Sequence, residues 1–323
     1  MRQPRYWTWD QKHSLPARLL APLGCVYWGI SQLRNRLTTP YHSQVPVICV
    51  GNAVAGGAGK TPVAQSIARM LQSRGKKTHF LSRGYGGSLP GPVLVDPNRH
   101  NAGQIGDEPL LLAKEAPVTV SRDRVKGIKE IEKAGCDLVI MDDGYQNPSL
   151  KKNLSLLVID AGFGFGNERL IPAGPLREPI TNAIKKADAI LLLGDGEAVD
   201  ATSFKPDKPV FRGQIISDLT GMDKQARYLA FAGIGRPEKF RDSLQSLEIN
   251  LSSFHAFADH HSYHESDLEK LVDIAGSQQA ELLTTEKDYV RLPESYKDKV
   301  KFVPISIRWD NELKLLGLLE SIV

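Results

Sequence analysis

The sequence predicts an α/β fold in which a mostly parallel sheet is covered on both faces by helices. From residue 46 onward, short runs rich in Val, Ile and Leu (VPVICV, THFLS, APVTV, DLVIMD, LSLLVID, ADAILLL and RYLAFAG) alternate with longer amphipathic stretches such as 61–73 and 123–134. Runs that are largely apolar throughout, instead of at every second position, belong to strands buried on both faces, as in a parallel sheet between helix layers. The composition agrees: 323 residues, 41% hydrophobic and 24% charged, supply an ordinary globular core for about two domains.

The elements follow in order. Residues 15–37, LPARLLAPLGCVYWGISQLRNRL, are rich in Leu and aromatic residues and rimmed by Arg18, Arg34 and Arg36. No small-residue cleavage site follows, so the segment is not a secretory signal. Its uninterrupted apolar part, Leu19 to Ile30, is about 12 residues, whereas a span takes roughly 20. An amphipathic helix remains, with Tyr27 and Trp28 at headgroup depth if it lies on a membrane surface. Packing on its own protein is the alternative, and the two are compatible. The α/β alternation then runs to about residue 193, resumes near 227, and is interrupted by DGEAVDATSFKPDKP (195–209), a polar, proline-containing candidate boundary. VFRGQIISDL and KFVPISIRW read as lone extended segments. The expected division is a helical region 1–40, a first domain 41–212 and a smaller α/β domain 213–323.

A net charge of +4 favours anionic ligands or an anionic membrane surface but is too diffuse for nucleic acid, for which no signature appears. Cys25, Cys49 and Cys136 include no CxxC pair, so they offer neither a disulfide framework nor a zinc site and read as small buried hydrophobes.

The stretch GNAVAGGAGKTPVAQ (51–65) carries the chemistry. It lies between an apolar strand and a helical pattern, the context in which backbone N–H groups and a helix N-terminus bind phosphate together. In such a P-loop, Lys60 reaches the β and γ phosphates and the Thr61 hydroxyl ligates Mg²⁺. The usual first glycine is replaced by Val54, leaving Gly56, Gly57 and Gly59 to make the turn. The fold expected is therefore P-loop NTPase-like. VIMDDGYQ (139–146) ends a buried strand in Asp142 and Asp143, either of which can hold Mg²⁺ through water. FLSRGYGG (80–87) releases Arg83 and Tyr85 into a glycine-rich loop, either to meet phosphate or as a solvated turn. GDEP (106–109) starts a helix, with Asp107 as N-cap or as a catalytic acid. VSRDR (120–124) repeats the strand-then-arginine arrangement, and GNERLIPAGPLREP is a stiff loop carrying Arg169, Arg177 and Glu178. FADHHSYHES clusters histidines beside Asp259. His260 and His264 have HxxxH spacing but no further ligand set, so an acid/base role is preferred to metal.

Taken together, RYW and the amphipathic helix, GNAVAGGAGKTP, SRGYGG, GDEP, DDGYQNPSL, GNERLIPAGPLREP, FADHH and TTEKDYVRL resemble, in this order and over nearly the whole chain, the tetraacyldisaccharide 4'-kinase family, the lipid A 4'-kinases of Gram-negative bacteria. Members usually carry hydroxyl residues where this chain has Val54 and Ala58; Lys60 and Thr61 remain. The resemblance implies transfer of the ATP γ-phosphoryl to the 4'-hydroxyl of a tetraacylated glucosamine disaccharide 1-phosphate, giving lipid IVA, by a peripheral monomer at the cytoplasmic face of the inner membrane. It implies Asp107 as base with His260 as its partner across a domain cleft, and Lys60 on the phosphates. Gly56, Gly57, Ala58, Gly59, Lys60, Thr61 and Pro62 would cradle the nucleotide, and Thr61, Glu108, Asp142 and Asp143 would organise Mg²⁺. Arg83, Tyr85, Gln146 and Arg177 would orient phosphates or sugar. The competing reading is a P-loop ATPase switch that visits the membrane without phosphorylating lipid.

Overall fold

The first apolar run becomes the central strand of the larger of two sheets. A computed structural model describes residues 4–8, 11–12, 14–196, 198 and 208–322. A 3₁₀ turn (Arg5–Trp7) and helix α1 (Leu15–Leu37) precede β1 (Val47–Gly51), α2 (Lys60–Gln72), β2 (Thr78–Ser82) and β3 (Val93–Leu94). Then come α3 (Ala102–Ile105), α4 (Asp107–Leu112), β4 (Val118–Val120), α5 (Arg124–Lys133), β5 (Leu138–Asp142) and β6 (Leu154–Asp160). α6 (Ile180–Lys186), β7 (Ala189–Leu193) and β8 (Val210–Ser217) follow. With β13 (Ile305–Trp309) these strands form one sheet in the order β13-β8-β7-β6-β1-β5-β2-β4-β3, parallel except for β13 with β8 and β3 with β4.

The alternation of strand side chains sorts the core into two layers. Ile48 and Val50 of β1 pack with Val63, Ala64 and Ile67 of α2, whereas Val47 and Cys49 pack with Ile128 and Ile131 of α5. Both faces are covered, as the apolar runs require. The second sheet is built from β9 (Tyr228–Ala232), α7 (Pro237–Ser246), β10 (Leu251–Ala256), α8 (Glu265–Ser277), β11 (Glu281–Thr285), α9 (Glu286–Tyr289), α10 (Glu294–Lys297) and β12 (Val300–Val303). Its order is β10-β9-β11-β12, all parallel.

The two segments expected to be lone turn out to be partners. β8 pairs antiparallel with β13, from Ile305 opposite Ser217 to Trp309 opposite Gly213. KFVPISIRW changes sheets at Pro304, which has no N–H for a ladder: Val303 closes β12 and Ile305 opens β13. Trp309 donates its indole N–H to Ser66 Oγ of α2 (2.9 Å), and Leu315, Leu316 and Leu319 of α11 (Glu312–Glu320) join the α2 core layer. The second sheet is therefore inserted between two parts of the first, and the expected boundary at 212/213 falls inside β8. The candidate boundary 195–209 lies largely outside the described residues.

α1 docks by its small residues. Ala17 and Gly24 are buried, and a Cβ at Gly24 would lie 3.0 Å from Leu170 Cβ. Leu15, Leu19, Leu23, Val26, Ile30, Leu33 and Leu37 are all exposed, at three- and four-residue spacing that aligns them on one helix face. Cys25, expected inside, is exposed on this helix, while Cys49 is buried in β1. Among the described residues no helix is long and apolar enough to cross a membrane.

Leu315→Ala is expected to lower the unfolding free energy in urea by about 2–5 kcal/mol, the usual result of emptying a closed core site. An unchanged midpoint would show that α11 is not part of the larger core.

Candidate active site

Two adjacent parallel strands, β1 and β5, deliver the P-loop and the paired acids to one edge of the sheet, with Val50 opposite Asp142. Ligands of α/β sheets bind at this carboxyl edge. The P-loop starts extended: Val54 bridges Leu176, and Ala55 N–H donates to Pro175 O. Because residues 53–55 run alongside the 170–178 loop, no tight turn is needed at Val54. Gly56 (φ 116°) and Gly59 (φ 82°) adopt the left-handed conformations instead, and a Cβ at Gly59 would meet Leu193 at 2.6 Å. Gly57 is not among the positive-φ glycines and faces open space. Ala58 is buried, and α2 begins at Lys60 with no side chain capping its first turn, so its N–H groups are available to an anion. Pro62 stands in that turn, where its missing N–H has no helical partner to lose. Lys60 and Thr61 are both buried.

The acids at the end of β5 differ sharply. Asp143 has positive φ (51°) and sits 3.7 Å from Lys60 Nζ and 2.8 Å from Arg177 Nη1. Burial alone would raise its carboxyl, but Lys60 and the hydrogen-bonded Arg177 outweigh that and hold it well below the usual range. Asp142 is 1% exposed and neither carboxylate oxygen has a hydrogen-bond partner. Burial first, then the nearby Glu108, push its carboxyl up to about 8. A buried acid without partners is costly unless a ligand faces it. Among the described residues no group of three His, Cys, Asp or Glu can hold a metal ion by itself. This donor set fits Mg²⁺ carried by a nucleotide, which keeps waters and takes one or two carboxylates plus phosphate oxygens.

Asp107 is the first residue of α4. Gly106 occupies the N-cap position, so the capping reading of Asp107 is corrected: its Oδ1 accepts only the neighbouring Glu108 N–H (3.0 Å). Its Oδ2 faces His260 Nδ1 of the second sheet's unit at 3.0 Å. His260 has positive φ (56°) and its N–H is tied to Gly233 O. Burial would raise the Asp107 carboxyl, but the His260 hydrogen bond, Lys287 and Arg291 bring it down to about 2. The Tyr85 ring meets His260 edge-on with centroids 5.5 Å apart. A cleft of about 710 Å³ opens here, lined among others by Tyr85, Asp107, His260 and Arg291.

Of the remaining expected residues, Gln146 is fixed by donating to Asn52 O (2.8 Å) and Glu178 Oε1 (3.1 Å), and Arg177 reaches it at 3.4 Å. Glu178 is buried and also takes Lys186 at 2.6 Å. Glu108 pairs with Lys287 (3.2 Å). Arg83 is exposed, and its charge acts on Arg124. Arg169 lies apart, donating to Lys12 O. His264 serves as N-cap of α8.

Several site residues escape sequence reasoning. In VSRDR, Arg122 turns out to Gly87 O and Ser88 O, while Arg124 is buried with its Nε unpartnered. Burial and the nearby Arg83 lower Arg124 to about 10, although Asp142 and Asp143 attract it. Arg236 reaches across from the second unit to donate to Gly57 O (3.1 Å) and to Asp160, which also binds Lys239 (2.6 Å).

With this geometry in view, comparisons with known proteins decide the family. A model of tetraacyldisaccharide-1-P 4'-kinase matches residues 16–323. The chain belongs to this family. Curated relatives include the tetraacyldisaccharide 4'-kinases of Rhodospirillum centenum, 44% identical over 100% of this chain and 97% of the relative, and of Parvibaculum lavamentivorans, 48% identical over 90% and 87%. A crystal structure of LpxK from Aquifex aeolicus in complex with ATP superposes with a TM-score of 0.77 at 29% identity, covering 95% of this chain and 99% of that one.

Asp142→Asn is expected to abolish turnover yet stabilise the nucleotide-free protein. An acid whose folded pKa lies near 8 and whose unfolded value is near 3.8 binds its proton more tightly when folded, so stability declines as pH rises through that window. The melting temperature of the variant should therefore exceed that of the wild type by a margin that widens from pH 5 to pH 8. A constant or negative margin would contradict an unpartnered Asp142.

Proposed function

We propose that this chain transfers the γ-phosphoryl group of ATP to the 4'-hydroxyl of a tetraacylated glucosamine disaccharide 1-phosphate, through the residues described above. The observation that carries the reading is the placement of a buried, His-paired carboxylate, Asp107, beside a P-loop whose neighbouring strand ends in the unpartnered Asp142.

Main-chain N–H groups of the P-loop and the first turn of α2 bind the phosphates, with Lys60 on the β and γ groups. Thr61, Glu108 and Asp142 are the groups that would hold Mg²⁺, which neutralises phosphate charge when bound. Asp143, already engaged by Lys60 and Arg177, positions those cations instead of standing open as a ligand. The acceptor oxygen attacks the γ-phosphorus as the bond to the β-phosphate breaks, and Asp107 takes the hydroxyl proton. A carboxyl held near 2 is a weak base, which suits a loose transition state in which the proton leaves late and the base chiefly orients the hydroxyl. His260 fixes the carboxylate that does so. Gln146, Arg177, Tyr85 and Arg83 border the site and are assigned to phosphate or sugar.

The acylated acceptor sets the location. We infer a peripheral monomer on the cytoplasmic face of the inner membrane, with the exposed apolar stripe of α1 against acyl chains and Arg18, Arg34 and Arg36 near the headgroups.

Incubation with γ-labelled ATP and a lipid extract containing the disaccharide should move label into lipid; label appearing only as free phosphate would contradict the kinase reading. Asp107→Ala should retain ATP binding while kcat falls about 10²–10⁴-fold, the range of a lost general base. For the membrane, Leu19→Glu with Ile30→Glu is expected to cut co-sedimentation with anionic vesicles more than tenfold, since each apolar side chain contributes about 1.5 kcal/mol or more. Both positions are exposed, so the melting temperature should not move.

A further inference from the structure

One of the cations that the inserted unit contributes to the site has no chemical role among those assigned above. Lys287 of α9 extends from the inserted unit to α4, where its Nζ lies 3.2 Å from Glu108 Oε1 and 3.8 Å from Asp107 Oδ2. Among the described residues it is the one ion-pair partner of Glu108. Asp142 feels both Glu108 and Lys287, yet its own oxygens bond to neither. The ammonium therefore occupies the neighbourhood in which a divalent cation shared by Glu108, Asp142 and a nucleotide would have to sit.

The backbone beneath Lys287 is rigid. The next residue, Asp288, is fully buried and accepts from Gly233 N (2.8 Å), Tyr263 Oη (2.7 Å) and Thr285 Oγ1 (2.5 Å). Arg291, almost wholly buried, donates Nε to Lys287 O (3.1 Å), Nη1 to His261 O (3.2 Å) and Nη2 to Gly233 O (3.0 Å). The four-carbon stem of Lys287 runs from this network to α4, so its ion pair with Glu108 is one of the contacts that hold 285–291 in place. A second carboxylate on its own unit, Asp259, also attracts the ammonium.

We propose that Lys287 is a placeholder cation, which neutralises Glu108 while the site lacks a metal–nucleotide complex and is displaced from that carboxylate when the complex binds. The inference rests on the reading of Glu108 as a metal ligand. An ammonium and a divalent ion on one poorly solvated carboxylate repel strongly, so the two are alternatives. The exchange keeps the acids of α4 and β5 from facing one another without a counter-charge. It also couples metal loading to the contact between the inserted unit and α4, because Lys287 is anchored in one and released from the other.

The test uses the full chain and a non-hydrolysable β,γ-imido analogue of ATP, titrated calorimetrically with Mn²⁺ and again in EDTA. The readout is the ratio of metal-free to metal-bound dissociation constants. Lys287→Met is expected to raise this ratio about three- to tenfold, the effect of one partly screened charge. Lys287→Arg, which keeps the charge, should leave it at the wild-type value, and Glu108→Gln should lower it. In the wild type, Mn²⁺ added to the analogue complex should also speed amide exchange in residues 285–291. A ratio that stays level or falls in Lys287→Met, while Glu108→Gln lowers it, would overturn the placeholder role and leave the metal reading standing. If Glu108→Gln has no effect, Glu108 is not a ligand and both ideas fail. Should Lys287→Met not fold, metal-independent exchange at 285–291 in the wild type would overturn the proposal by itself.

Discussion

The site depends on one contact between two sheets, the hydrogen-bonded pair of Asp107 and His260. Asp107 is 3% exposed and charged, and a buried carboxylate is tolerated only when it is paired and bonded. Apart from the adjacent Glu108 N–H, its hydrogen-bond and ion-pair partners among the described residues, His260, Lys287 and Arg291, come from the inserted unit. The base is therefore complete only when that unit is seated on α4. The topology makes this seating natural. The chain leaves the first sheet at Ser217 and returns at Ile305, and Asp218 N–H donates to Pro304 O at 2.8 Å, so both connections cross at one place. Arg236, gripping Asp160 and the Gly57 carbonyl, adds a second contact at the P-loop.

Charge is distributed by the same economy. Four acids, Asp107, Glu108, Asp142 and Asp143, converge near the carboxyl edge of the sheet. Three are compensated: Asp107 by Lys287 and Arg291 together with the hydrogen bond to His260, Glu108 by Lys287, and Asp143 by Lys60 with Arg177. The fourth, Asp142, is left without a partner. Neighbouring carboxylates driven apart in this way, one well below and one well above its ordinary pKa, mark a site prepared for a charged ligand. The left-handed backbone at Asp143 and His260 places mild strain at the same location.

Much of this was legible in the residues, and the exceptions have physical causes. The strand runs were readable because burial on both faces leaves no polar alternation to misread, and β1, β2, β4, β5, β6, β7 and β9 fall where the apolar runs predict. The antiparallel pairing of β8 with β13 was not readable, since nearly a hundred residues separate the strands and neither carries its partner's identity. Asp107 looked like a helix cap because Gly-Asp-Glu-Pro is also a capping pattern; only the position of His260, over 150 residues away, distinguishes the roles. Arg124 was hidden for a different reason: two arginines flank Asp123, and only the start of α5, with Asp123 as its cap, leaves Arg122 outside the helix and puts Arg124 on its buried side. Lys287 and Arg291 lie in a motif noticed for its resemblance, but the direction of their charges follows from the buried Asp288 network that fixes α9.

The most direct test of the cross-sheet pair is a double-mutant cycle on kcat with Asp107→Asn, His260→Ala and both together. If His260 acts through Asp107, the double variant should be no slower than Asp107→Asn alone within about threefold, a coupling on the order of the lost His260 effect. Rate losses that multiply in the double variant would show that the two residues act independently and that the contact between the sheets does not assemble the base.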